Sequence, residues 1–270
     1  MDGKRFGFIG AGFMAEAVLR GILDAKVFPM QTLAAADVAE PRRRTFAALG
    51  VETTDDALEI VEACETVLVA VKPQDVPDLL SRIGPALTSD HLVLTVCAGC
   101  PTGVFENSSA ADVRVVRAMP NLPLSVGRGA TALCRGRHAG AADLDMARRV
   151  FGAAGEAVVV DEPVMDAVTA VSGSGPAYVY FLAEAMIEAG MKEGLSAEAA
   201  RKLAVQTIRG AGEVMAGNDA SPADLRKRVT SKGGTTEAAF ASLAGDNVRE
   251  ALVRAIRAAA ARSRDLGRPR

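Results

Sequence analysis

Gly10-Ala11-Gly12-Phe13-Met14-Ala15 is the first segment of the chain with a chemical reading. It follows a short apolar run, Phe6–Ile9, and opens a stretch with helical spacing. In that setting the first glycine permits a tight turn and the second lets backbone approach a pyrophosphate. A small residue at position 15 lets helix and strand touch. Unpaired N–H groups and the positive end of the helix dipole then favour phosphates. Gly10, Ala11, Gly12, Phe13 and Met14 are therefore candidate dinucleotide contacts, although the same pattern also serves a turn tightened only for packing.

Asp37 follows the second strand-like run, where an acidic residue would bond the adenine ribose 2′-hydroxyl of NAD(H). Arg42, Arg43 and Arg44 lie just beyond and either meet the 2′-phosphate of NADP(H) or form a solvated helix face. The residues themselves leave both cofactors open.

Three further turns end strand-like runs: Ala70-Val71-Lys72-Pro73-Gln74, Cys97-Ala98-Gly99 and Met119-Pro120-Asn121-Leu122-Pro123. Open α/β sheets bind ligands beyond the carboxyl ends of their strands. Ala70, Val71, Lys72 and Pro73 should thus face the cofactor, with the small residues Cys97, Ala98 and Gly99 leaving room for a nicotinamide ring. Asn121 is a candidate orienting amide. Farther on, Ser172-Gly173-Ser174-Gly175-Pro176 and Ser231-Lys232-Gly233-Gly234-Thr235-Thr236 each lead into a helical stretch. Hydroxyls and free N–H groups at helix starts suit a small carboxylate. Helix capping accounts for the first, whereas the second holds more small and polar residues than a turn needs.

Other chemistries fit poorly. Tyr178 and Tyr180 are followed four residues on by Leu182 and Glu184, so no Tyr–Lys proton relay exists at helical spacing. His91 precedes a strand, at the end away from the crevice, and His138 lies in a basic loop; both read as surface residues. Cys97 and Cys100 form a CxxC, but a zinc site needs a second pair, and Cys64 and Cys134 stand alone. A thioredoxin-like motif should open a helix, yet Pro101 and Thr102 follow. The expectation is four small buried thiols in a reducing compartment, and no metal. A hydride-transfer enzyme without a His, Tyr or metal acid suits a substrate that is already activated, such as a protonated imine.

The elements that must position these groups follow from periodicity. Phe6–Ile9, Leu33–Ala36, 66–71, 92–96, 113–117, 130–134 and 157–160 read as strands, and 13–23, 40–49 and 141–153 as helices. Strands alternating with helices, several of them continuously apolar, imply βαβ units and a mostly parallel sheet. From about residue 162 onward only helical spacing remains. The expected organisation is therefore a Rossmann-type, doubly wound α/β domain over 1–161, then an all-helical domain over 162–270. Within the latter, Ser196 and Ser221-Pro222 read as helix starts. The stretch 177–187 is apolar on nearly every face and must be buried on every side. Either a second subunit covers it or it is the centre of one monomer's bundle.

Composition bounds the rest. Among 270 residues, 31 basic and 33 acidic side chains give a net charge of −2, which fits neither a nucleic-acid footprint nor a polybasic membrane patch. Aromatic residues are only 4%, with no Trp, so the core should be built from Ala, Val, Leu and Ile. Asp2, Lys4 and Arg5 precede an apolar run too brief for a signal sequence, and no run approaches the ~20 residues that span a bilayer. A cytoplasmic protein is expected.

The segments GFIGAGFMAEA, AVKPQ, VCAG, RAMPNLP, VSGSGPAYVY and VTSKGGTTEAA, taken together and in this order, resemble the pyrroline-5-carboxylate reductases. The resemblance spans most of the chain. It implies reduction of 1-pyrroline-5-carboxylate to L-proline by NAD(P)H and a Rossmann domain followed by a helical dimerisation domain. It also implies a homodimer whose copies assemble into larger rings, a decamer among them. In that family the substrate carboxylate is held by the segment matching Ser231, Gly233, Gly234, Thr235 and Thr236. The hydroxyl matching Thr236 lies near the ring nitrogen, and the neighbouring subunit contributes to the site. Leu122 departs from the Thr usual in the family, and Asp37 from a small polar residue. Two alternatives share the general plan. A β-hydroxyacid dehydrogenase should carry a catalytic Lys on the helix after the SGSG turn, and 176–189 contains none. A non-catalytic NAD(P)-sensing module would not need intact substrate-side loops.

Overall fold

The computed structural model describes residue 3 and residues 5–267; Asp2 and Lys4 of the N-terminal flank lie outside the described residues. Chain contacts divide it into two compact units. The first holds the chain up to Gly173 together with the segment from Ala259 onward, and the second is Ser174–Ala258.

The first unit contains β1 (Phe6–Ile9), α1 (Phe13–Asp24), β2 (Leu33–Ala36), α2 (Glu40–Ala48), β3 (Glu52–Thr54), α3 (Ala57–Ala63) and β4 (Thr66–Val69). It continues with α4 (Val76–Ile83), β5 (Leu92–Thr95), α5 (Thr102–Ser108), β6 (Arg114–Met119), β7 (Gly129–Arg135), α6 (Ala141–Gly152) and β8 (Gly155–Val159). A short α7 (Met165–Val168) runs into a π-helical turn, Thr169–Gly173. The eight strands form one sheet in the order β3-β2-β1-β4-β5-β6-β7-β8. Every neighbouring pair is parallel except β6 and β7, which run antiparallel with Met119 opposite Ala132.

Continuous apolar strands are what a sheet covered on both faces requires. Phe6, Phe8, Leu68, Leu94 and Val116 enter the layer beneath α1 and α6, beside Val18, Leu19, Ile22, Val150 and Phe151. Their alternating neighbours Ile9, Val67, Val69, Val93 and Val115 face Ile60, Val61, Leu80 and Ile83 of α3 and α4. The core is not purely aliphatic as composition suggested. Phe6, Phe8, Phe46, Phe105 and Phe151 are among its largest fully buried side chains, and the Phe6 and Phe8 rings meet edge-on at 5.1 Å. Scarcity of aromatics says nothing about where the few are placed, and each buries more apolar surface than any aliphatic side chain.

The compact units part after Gly173, and the segment after β8 packs with the sheet: Met165 is buried against Ala132 and Cys134 of β7.

The second unit comprises α8 (Gly175–Lys192), α9 (Ala197–Ala216), α10 (Pro222–Arg228), α11 (Thr235–Gly245) and the first part of α12 (Val248–Leu266). Ser196 caps α9 by accepting the Ala199 N–H at 3.2 Å, and Ser221 caps α10 through the Asp224 N–H at 3.2 Å. Of this unit only Ala200 and Ala204 are buried among the described residues, while Val179, Phe181, Leu182, Leu203, Val214 and Leu252 are exposed. The apolar helix α8 has no buried residue, so it is not the centre of a single-chain bundle. A folded helix with apolar surface on every side requires a covering partner.

Candidate functional site

The strand order reverses at β1, with β2 and β3 on one side and β4 to β6 on the other. The carboxyl ends of β1 and β4 therefore flank the crevice where sheets of this kind take ligands. Gly10 turns the chain there with φ +91°, and a Cβ on it would lie 2.8 Å from the Ala70 carbonyl oxygen and 3.1 Å from the Val71 nitrogen. Only glycine meets both demands. The adjoining strand ends are tied to the same turn. Asp37, after β2, accepts the Ala11 N–H through Oδ2 at 2.7 Å and the Ala39 N–H through Oδ1 at 2.8 Å. Cys97, after β5, directs its Sγ at the Val71 carbonyl, 3.4 Å away. The turns after β1, β2, β4 and β5 thus lie side by side.

This cradle fits a dinucleotide. No side chain caps α1, a Cβ at Gly12 would meet open space, and Phe13 is half exposed at the helix start. The first-turn N–H groups thus face outward at the positive end of a 12-residue helix, the arrangement that binds a pyrophosphate. Of the three arginines, Arg44 pairs with Glu40 at 2.6 Å and Arg42 lies 3.9 Å from Glu16, which makes them the solvated helix face. Arg43 differs: its Nη1 donates to the carbonyls of Asp37 and Val38 at 2.7 and 3.0 Å. That places a cation and a carboxylate at the same corner after β2. Lys72 is exposed, and it opens the short 3-10 turn Pro73–Asp75.

The CxxC does sit between a strand and a helix, contrary to the expectation, since α5 begins at Thr102. What makes it inert is burial. Desolvation pushes the Cys97 thiol up to about 11 and raises Cys100 as well, so both are thiols at neutral pH. All four cysteines are buried and none forms a disulfide, and no cluster of metal-ligating side chains occurs among the described residues. His91 and His138 are half-buried, not surface residues. His91 lies within hydrogen-bond reach of Thr88 and the Val61 carbonyl, and His138 lies 3.5 Å from Asp112.

Asn121, read as a substrate-orienting amide, is committed to backbone: its Oδ1 accepts the Ala130 N–H at 2.9 Å and its Nδ2 donates to the Ser172 carbonyl at 3.1 Å. It fastens the turn after β6 to β7 and to the SGSG segment. Leu122 beside it is exposed. Ser174 precedes α8 without a side-chain cap, and the Ser172 hydroxyl donates back to Val168. The capping expected of that segment is thus absent.

In the second unit, Ser231–Thr236 ends at the start of α11. Gly234 accommodates the close approach of Ser231, whose Oγ a Cβ there would strike. The Gly233 N–H donates to Glu237 at 2.6 Å, fixing the loop against its own helix. No side chain caps α11, and the hydroxyls of Thr235 and Thr236 are tied to no partner among the described residues. Two free hydroxyls beside unpaired helix N–H groups can hold a carboxylate and a second polar atom.

A nucleotide cradle on a doubly wound sheet, followed by helices that need a second copy, defines a dinucleotide-binding protein with a dimerisation domain. Matches to known proteins narrow this. The family described as pyrroline-5-carboxylate reductase dimerisation matches residues 162–266, and the NADP oxidoreductase, coenzyme F420-dependent family matches residues 5–99. The pyrroline-5-carboxylate reductase of Methanosarcina acetivorans is 37% identical over 99% of this chain and 100% of its own. That of Pseudomonas aeruginosa is 37% identical over 98% of each. Among solved structures, the Coxiella burnetii reductase superposes with a TM-score of 0.92 at 32% identity, covering 99% of this chain and 100% of that one. The Plasmodium falciparum enzyme with NADP bound gives 0.88 at 30% identity, with the same coverage. The chain belongs to the pyrroline-5-carboxylate reductase family.

Proposed function

We propose that the chain reduces 1-pyrroline-5-carboxylate to L-proline with NADPH as donor, NADH being the alternative. The observation that carries this reading is the presence, in a chain similar to these reductases along its whole length, of both the Gly10–Met14 cradle and the Ser231–Thr236 loop with its two free hydroxyls.

The N–H groups after Gly12 receive the pyrophosphate, and Ala70–Pro73 with Cys97–Gly99 border the nicotinamide side. When bound there, the cofactor supplies a hydride. The chain's own residues hold its acceptor. The free N–H groups of Thr235 and Thr236 and the positive end of α11 bind the substrate carboxylate. The Thr236 hydroxyl meets the ring nitrogen. As hydride arrives at C5 of the protonated imine, the C=N π pair moves onto nitrogen, which becomes the amine of L-proline. No further acid is needed, so catalysis rests on orientation and on dipoles already in place. Asn121 acts by holding the turn after β6 and touches no reactant.

The protein forms oligomers through its helical domain, and we place the finer assembly as dimers building a decamer, with the neighbouring subunit completing the site. No helix among the described residues is long and apolar enough to cross a membrane. A cytoplasmic location and the absence of nucleic-acid or membrane partners belong to the same proposal. Oxidation of NADPH and of NADH, each with and without pyrroline-5-carboxylate, tests it. Imine-dependent oxidation supports the reading, and none with either cofactor overturns it.

A further inference from the structure

The far end of α12 returns to the first unit and ends against the turn assigned to the nicotinamide side. Ser263 is its one buried residue, 6% exposed on a helix that is otherwise open, and its hydroxyl donates to Oδ1 of Asp166 at 2.7 Å. One turn farther along, the Leu266 carbonyl oxygen lies 3.5 Å from where a Cβ on Gly99 would stand, with the Gly267 nitrogen at 3.6 Å. A Cβ on Gly267 would in turn lie 3.3 Å from the Gly99 carbonyl oxygen, so the helix end backs Gly99 across about the width of one methyl group.

The same short segment that holds Ser263 also holds the other side of this turn. Glu162 accepts the Thr102 N–H at 2.8 Å and the Thr102 hydroxyl at 2.7 Å, so a carboxylate sits at the start of α5 directly after Cys100. Arg117 of β6, itself 6% exposed, lies 3.4 Å from that carboxylate. Glu162 thus fixes where the Cys97–Cys100 turn ends, and Asp166, four residues on, fixes the helix end that backs Gly99. A buried serine bonded to a carboxylate is a directional fastening that apolar packing would not supply.

We infer that Asp166, Ser263 and the Leu266–Gly267 backbone form a brace that positions the Cys97–Gly99 turn for hydride transfer, with Ser263 and Asp166 as positioning residues. This rests on the reading of 97–99 as the nicotinamide side. Because α12 begins in the helical unit and ends in the brace, the dimerisation helices and the cofactor turn share one element.

The test uses the full-length protein with pyrroline-5-carboxylate and NADPH. Ser263→Ala removes the donor and should lower kcat about three- to tenfold, the loss of one positioning hydrogen bond. KM for the imine should stay unchanged. The isotope effect with NADPH deuterated at the transferred position should rise, because only the hydride step is slowed. Asp166→Ala should match it, while Asp166→Asn, which keeps a carbonyl acceptor, should restore kcat and the isotope effect. A fall in thermal midpoint with kcat and isotope effect intact in both Ala variants would make the contact merely structural and overturn the inference. A raised imine KM with normal kcat would place the brace on the substrate side and overturn it too. The exposed Ala98 separates the two readings: Ala98→Leu should weaken NADPH binding at least about tenfold, since it fills space left for the ring. Wild-type NADPH affinity in that variant would remove the turn from the cofactor site and the brace's role with it.

Discussion

The carboxylate of Asp37 accepts the N–H of Ala11 at 2.7 Å, so the residue that follows β2 also holds the turn that follows β1. Its other oxygen takes the Ala39 N–H, and its carbonyl takes Arg43. The residue read from sequence as a ribose ligand is therefore a fastening of the glycine turn proposed to take the pyrophosphate. The two roles differ in what a substitution should do.

Asp37→Ser removes a negative charge from the corner that a 2′-phosphate would enter. KM for NADPH should fall and KM for NADH should rise, moving the preference about tenfold, the equivalent of ~1.4 kcal/mol. Arg43→Ala should act oppositely, raising KM for NADPH with little effect on NADH. Initial rates with both cofactors check this. An unchanged ratio in both variants would mean that the corner does not face the ribose.

The sheet was legible because its inner strands are apolar on both faces: 66–69 and 92–95 needed no further context. β3 was not, since Glu52-Thr53-Thr54 at the sheet edge has no apolar pattern to read. α5 was hidden because Thr102–Ser108 holds weak helix formers and its start is satisfied by Glu162, sixty residues away in sequence. α4 could have been found, as Val76, Leu80 and Ile83 repeat at helical spacing. The glycine turn was readable for a local reason, a strand, a turn and a helix in succession. The partners of Asn121 and Ser263 were not, because long-range hydrogen bonds leave no periodic trace.

The apolar helices predict the oligomer. Val179 and Leu182 on α8 are 42% and 53% exposed in the single chain. Replacing either by Glu puts a charge into the surface that a second copy must cover, at a cost of several kcal/mol. Light scattering should show loss of native mass, and circular dichroism should show whether the helices survive without their partner. A variant both folded and at native mass would take α8 out of the interface.

The thiols set an alkaline limit. Burial pushes Cys97 to about 11 and Cys134 to about 12, whereas unfolded cysteines ionise near 8.5. Their folded values are raised, so the unfolded chain loses protons first. The stability they contribute is intact below about pH 8.5 and is lost as pH rises from there through about 11 to 12. Thermal midpoints across that range should be flat on the neutral side and then fall. Cys97→Ala, which cannot ionise, should lessen the fall. A midpoint already declining between pH 7 and 8 would assign the loss to other groups.

Thr236 carries the proposed chemistry, and its environment makes the test clean. It is the second residue of α11, half-buried, with a hydroxyl tied to nothing else among the described residues. Thr236→Val keeps the β-branched shape and removes only the polar group, so neither the helix start nor the Glu237–Gly233 fastening should change. A hydrogen bond to a charged nitrogen contributes roughly 1.5–3 kcal/mol, which corresponds to a fall of about ten- to hundredfold in kcat/KM. NADPH binding followed by fluorescence should be nearly unaffected, because the cradle at Gly10–Met14 belongs to the other unit. Weakened cofactor binding with turnover preserved at saturation would make Thr236 a cofactor contact. Wild-type values in both assays would reduce Ser231–Thr236 to a connection between helices and move the search for the carboxylate site elsewhere.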